Sequence, residues 1–268
     1  GEEAARALAP RLAARAYAPT FYNIGRETYL LPVSWSADGW PTILPHGTAI
    51  PFALDKPASA GVTEPGAPQN GDFSYVDNFD EKRLGLGWMG IRVPAKSFYD
   101  LSEGRLILAP GHRFGDLSAA PAFIARKQAH AKAEVSTALD YEPDHEGDRA
   151  GLVALQSDNA YLFLGVIKSQ GKRQIAVMRR ETAGDPQAGK AVSSVVLPRG
   201  ARTVRLKLTI DGGALNASYA WGRSGWRPLQ TGGDATFLST KKAGGFVGTM
   251  IGLANETNRS NHPAPATP

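Results

Sequence analysis

Residues 202–211, RTVRLKLTID, alternate strictly: Val204, Leu206, Leu208 and Ile210 fall on one face of an extended chain, Arg205, Lys207 and Thr209 on the other. A period of two puts one face on a core and the other in water, which is the pattern of a half-buried strand. Such a strand needs partners, and the chain from Asp72 onward supplies them. RLILAP, AGLVALQS, AYLFLGVIKS and RQIAVMRRE are β-rich runs bounded by Gly, Asp, Asn or Ser. AFIARKQAHAKAEVSTALDY reads as one long, mostly alternating strand, ALNASYAWGRSGWRPL as strand, Gly turn and strand, and GGFVGTMIGLAN as a final Gly-rich strand. Short strands at this spacing predict an all-β fold, a two-sheet antiparallel β-sandwich. Thirty Gly and 19 Pro in 268 residues agree with many turns and argue against a helical bundle.

The chain divides by composition. Residues 1–52 form an N-terminal segment. Its first 18 residues, rich in Ala, Arg and Glu, read as a short helix that Pro10 would break or kink. Tyr22 to Ile43 then reads as strand, turn at Ala37-Asp38-Gly39, and second apolar run. A lone hairpin is marginal in water, so this piece reads as the end of something larger. Residues 53–71, rich in Pro, Gly and Ala, read as a linker. The sandwich is expected over 72–258 and a disordered tail over 259–268.

Bulk properties exclude several roles. The net charge is +5, but Arg and Lys are scattered and alternate with apolar residues, which describes solvated strand faces and argues against a nucleic-acid partner. No apolar run approaches bilayer length, so no membrane partner is expected. Cysteine is absent, which removes disulfides and thiolate metal sites and leaves the compartment open between cytoplasm and periplasm or exterior. No signal peptide is visible at the first residue given.

Three features invite chemical readings that the residues do not sustain. DYEPDHEGDRAG carries acids at every second position, but an EF-hand loop needs Gly where His145 stands, so a solvated loop is expected. RKQAH offers Arg126, Gln128 and His130 to one strand face, yet a metal site needs more convergent ligands than one His. Trp221 and Trp226 flank a hairpin turn and are expected to pack it. No metal and no cofactor is predicted.

The ordered motifs NIGRETYLLPVSW…DGWPTI, FDEKRLGLGWMGIRVP, FYDLSEGRLIL, PAFIARKQAH, AGLVALQSDNAYLFLGV, SYAWGRSGWRPL and AGGFVGTMIGL resemble the C-terminal part of glycoside hydrolase family 43 enzymes, over roughly residues 20–255. That family comprises β-xylosidases and α-L-arabinofuranosidases with a concanavalin A-like β-sandwich after a five-bladed propeller. The resemblance implies that Tyr22 to Ile43 is a remnant of the last propeller blade. It also implies an inverting exo-glycosidase acting on xylo-oligosaccharides or arabinose-substituted xylan, with the sandwich helping to close the active-site pocket. Its partners would be such a glycan fragment and the missing propeller portion; a homo-oligomer is left open. The catalytic carboxylates belong to that portion, so no catalytic residue is assigned in this chain. The alternative is a stand-alone carbohydrate-binding or structural sandwich.

Two substrate-binding residues are carried over. Arg26 in GRET matches an arginine that reaches the sugar and the catalytic carboxylates, where a planar guanidinium suits hydroxyls and carboxylates together. The alternative is an exposed Arg or one paired with Glu27. Phe246 in GGFVGTMIG matches a sandwich aromatic at the pocket wall, with glycines that let the backbone come close. The alternative is a phenylalanine in the sandwich core.

Overall fold

The computed structural model describes residues 7–14, 21–51, 54–55, 71–94 and 96–258. The proposed linker and tail fall largely outside them. The expected N-terminal helix is replaced by strand β1 (Ala7–Ala14), which pairs antiparallel with β2 (Arg26–Trp35) from Ala7 opposite Val33 to Ala14 opposite Arg26. β3 (Pro41–Thr42) pairs with the far end of β2, so among the described residues β1 is an edge strand. Edge strands tolerate proline, and a partner strand outweighs the weak helical preference of the Ala-rich segment.

β4 (Met89–Gly90) opens the sandwich, and β5 (Tyr99–Ser102) and β6 (Arg105–Leu108) form a separate hairpin. The long run read as one strand is two: β7 (Phe123–Lys127) and β8 (Lys132–Asp140) belong to different sheets. Gln128 and His130 therefore sit at the corner between them instead of on a strand face. The Gln128 amide donates to the His130 carbonyl, and the His130 ring meets Phe73 edge-on. Arg126 stays in β7, its guanidinium over the Tyr75 ring at 3.9 Å.

β9 (Arg149–Ser157), β10 (Ala160–Ser169), β11 (Lys172–Arg180) and β12 (Lys190–Val196) run as a meander. They are followed by β13 (Thr203–Asp211), β14 (Ala214–Trp221) and β15 (Arg227–Asp234). A short helix α1 (Thr240–Ala243) precedes the last strand, β16 (Met250–Glu256). One sheet has the order β12-β11-β10-β9-β16-β7-β4, the other β15-β14-β13-β8, and every strand pairing is antiparallel.

The two sheets bury Leu152, Leu162, Leu164, Val177, Leu206 and Leu208 between them. β13 alternates because its outer face meets water. β9 and β10 read as continuous apolar runs because both faces are covered: a second cluster of Phe114, Phe123, Val153, Tyr161 and Phe163 fills the outside of the seven-stranded sheet. Strands buried on both faces lose their alternation. Inside that cluster Arg149 Nη2 lies 2.8 Å from Glu256 Oε2, with both side chains fully buried. The Arg149 Nη1 also donates to the Ala188 carbonyl at 2.7 Å, and the guanidinium lies 4.7 Å from the Phe163 ring centre.

The acidic loop 140–148 is held by its own carboxylates. Glu146 accepts from the Gln170 and Gly171 N–H groups. Burial alone would push the Asp148 carboxyl up, but hydrogen bonds from Asn258 N–H, His145 N–H and the Thr257 hydroxyl hold it below the usual carboxylate range. Trp221 stacks on Tyr219 beneath the Arg227 guanidinium. Trp226, part-exposed, lies near Arg205 and Lys207.

Candidate functional site

Residues 21–25, just ahead of β2, lie across the sandwich as a strap. The Thr249 N–H donates to the Asn23 carbonyl at 2.7 Å, and the Thr240 N–H donates to the Tyr22 carbonyl at 3.3 Å. Asn23 is buried, and its side-chain amide donates to the Ala235 carbonyl at 3.2 Å. Lys127 Nζ donates to the Arg26 carbonyl at 3.3 Å.

At the centre two glycines meet. A Cβ on Gly25 would sit 2.7 Å from Gly248 Cα, and a Cβ on Gly248 would sit 2.6 Å from the Ile24 carbonyl carbon. The atoms met are all backbone, which cannot swing aside as the end of a flexible side chain could. Gly248 is thus the glycine of GGFVG that a close approach requires. Gly244 and Gly245 have open space around them, and their φ values of 78° and 74° are what glycine supplies there. The expected Gly-rich strand is accordingly a turn through residues 244–249, and β16 starts only at Met250.

The contact brings together the two residues singled out from sequence. The Arg26 guanidinium carbon lies 4.0 Å from the Phe246 ring centre. Phe246 is 68% exposed, so its ring is not part of the sandwich core. Arg26 is exposed as well; the alternative pairing with Glu27 concerns a side chain outside the described residues. Stacked together, the pair presents an aromatic face and a fork of fixed donors at one surface point, a combination that suits a sugar ring with its apolar face and hydroxyls.

Sequence reasoning missed what holds the pair in place: Asn23, the Gly25–Gly248 approach, and Gln156. The available signals are an amide residue, Asn23, ahead of GRET and one polar residue closing the apolar run of β9. A large open cleft of 1810 Å³, lined by Leu30, Tyr75, Gln128, Glu134 and Trp226, runs beside the strap and takes in Lys127 but neither Arg26 nor Phe246. Among the described residues, no cluster of three His, Cys, Asp or Glu is placed to hold a metal ion.

Gly248→Ala is expected to push the strap off the sandwich. Overpacking against unyielding neighbours costs about 1–3 kcal/mol, or about 2–4 °C in melting temperature per kcal/mol for a domain of this size. Thermal unfolding followed by circular dichroism measures it; an unchanged melting temperature would mean that the contact is not tight.

Residues 76–267 match the family described as GH43_C2, Beta xylosidase C-terminal Concanavalin A-like domain. The chain is 29% identical over 260 residues to the non-reducing end alpha-L-arabinofuranosidase BoGH43B of Bacteroides ovatus, which covers 92% of this chain and 44% of that protein. It is 24% identical to a beta-xylosidase of Bacillus subtilis, covering 92% of this chain and 45% of that one. The crystal structure of the GH43 protein BlXynB from Bacillus licheniformis superposes with a TM-score of 0.75 at 26% identity, covering 94% of this chain and 48% of that chain. The chain therefore spans a little under half the length of the relatives it matches.

Proposed function

The chain belongs to the family of glycoside hydrolase family 43 C-terminal concanavalin A-like domains, and from that premise we propose that it is the accessory portion of an inverting exo-glycosidase acting on xylo-oligosaccharides or arabinose-substituted xylan. In this reading the sandwich and the strap supply one wall of the sugar pocket. The acid and base come from the part of the protein that the relatives possess and this chain does not span. Inversion needs two carboxyl groups about 6.5–9.5 Å apart, flanking the scissile bond.

The observation that carries the reading is the stack of Arg26 on Phe246, made by two segments distant in sequence and left open to the surface. A second observation supports a covering portion. Leu30, Trp35 and Trp40, on and just after β2, are 59%, 52% and 72% exposed, large apolar side chains that a further portion of the protein would cover.

Phe246→Ala in the full-length protein tests the reading. Because the ring is exposed, stability should change by no more than about 0.5 kcal/mol. KM for 4-nitrophenyl xyloside or arabinofuranoside should rise about tenfold, equivalent to about 1.4 kcal/mol of sugar binding. Unchanged kinetics would take Phe246 out of the pocket. Sugar binding by this chain with no partner portion, and no effect of Phe246 on turnover, would favour the stand-alone binding module.

A further inference from the structure

Gln156 is a buried amide at the end of an apolar strand, on the side of β9 where β16 pairs with it. The β9–β16 ladder runs from Glu256 opposite Arg149 to Met250 opposite Leu155 and stops there. One residue further along β9, the Gln156 side chain takes over: its Nε2 donates to the Val247 carbonyl at 2.9 Å. Its Oε1 is buried without a hydrogen-bond partner among the described residues. A buried, half-satisfied amide is unfavourable beside an apolar side chain of the same shape. Fold stability alone therefore gives no account of a glutamine at this position.

The turn that Gln156 grips carries Phe246. On its amino side are Gly244 and Gly245, both in the left-handed region with open space around them, a pair that imposes little on the ring's direction. On its carboxyl side the Gly248 backbone abuts Ile24 and Gly25, and the Thr249 N–H is bonded to Asn23. Val247 is the residue between the ring and that docked backbone, and its carbonyl is the atom Gln156 holds. The ring so placed lies against Arg26 at 4.0 Å.

We propose that Gln156 is a positioning residue: its side-chain amide fixes the 244–248 turn so that Phe246 stands against Arg26, ready to cover a sugar ring. The sugar-binding half of this statement rests on the function proposed above; the positioning half does not.

The experiment has two arms. In the first, 4-fluorophenylalanine at position 246 of the full-length protein reports the ring through its ¹⁹F resonance. Gln156→Met, nearly isosteric but without a donor, should move that resonance toward the position it takes in the unfolded chain. The melting temperature should change little, because the donor lost to the carbonyl of the exposed Val247 is offset by removal of the orphaned oxygen. A resonance that does not move overturns the proposal. Gln156→Leu repeats the measurement should the Met variant fail to fold.

In the second arm, the full-length protein is assayed with 4-nitrophenyl xyloside and arabinofuranoside. Gln156→Met should raise KM three- to tenfold with kcat held, and should add less than a twofold effect once Phe246 is already Ala, because the two residues act through one ring. An equal factor in both backgrounds overturns the proposal, since Gln156 would then act by another route. A shifted resonance with unchanged KM in both Gln156→Met and Phe246→Ala upholds the positioning and overturns the pocket reading instead.

Discussion

Replacing Glu256 by Ala is expected to destabilise the sandwich by about 3–5 kcal/mol, the cost of leaving one member of a buried ion pair without its partner. Arg149 and Glu256 face each other across the β9–β16 ladder, with the arginine beside the Phe163 ring and neither side chain reached by water. With the carboxylate gone, the guanidinium keeps the Ala188 carbonyl but loses its counter-charge. At about 2–4 °C per kcal/mol for a domain of this size, the melting temperature should fall by about 6–20 °C. The paired change Arg149→Met with Glu256→Leu should be far milder, since it removes both buried charges together. Thermal unfolding of the three proteins checks this; a Glu256→Ala variant that melts with the parent would mean that water or another anionic group compensates.

That ion pair was invisible in the sequence. Arg149 closes an acidic loop and Glu256 opens a polar tail, and nothing local says that either is buried. The core between the sheets was legible because β13 alternates and its outward residues are Arg, Lys and Thr. The second core was not, since the runs in β9 and β10 announce burial without saying what covers them; the cover is the segment around Phe114, which has no regular period of its own. The N-terminal strand reads as a helix in the sequence because Ala, Arg and Glu carry a helical preference that one partner strand overrides. The split of the long run into β7 and β8 was missed because alternation continues through the corner at Gln128, while the backbone crosses from one sheet to the other.

The candidate site was legible in a different way. Arg26 and Phe246 were named through resemblance to a family, and no local pattern joins positions so distant in the chain. What joins them is a contact between two backbones that only glycine permits, at Gly25 and Gly248. Gly248 was legible as one of several glycines around Phe246, but its partner Gly25 was not.

Arg26→Ala in the full-length protein is the second large effect. A charge-assisted hydrogen bond in a closed site contributes about 1.5–3 kcal/mol, so turnover should fall about ten- to a hundredfold. The fold should hold, because the exposed Arg26 side chain stacks on an exposed ring and the strap is anchored by Asn23, Gly25 and the Arg26 carbonyl rather than by the guanidinium. Arg26→Lys keeps the charge but lacks the planar fork, and should recover only part of the loss. The most direct measurement is the release of 4-nitrophenol from xyloside and arabinofuranoside by full-length parent and Arg26→Ala proteins of matched melting temperature. A loss of tenfold or more in the folded variant is the predicted result. Equal rates in the two proteins would contradict the placement of Arg26, and with it the strap and the Phe246 turn, at the sugar pocket.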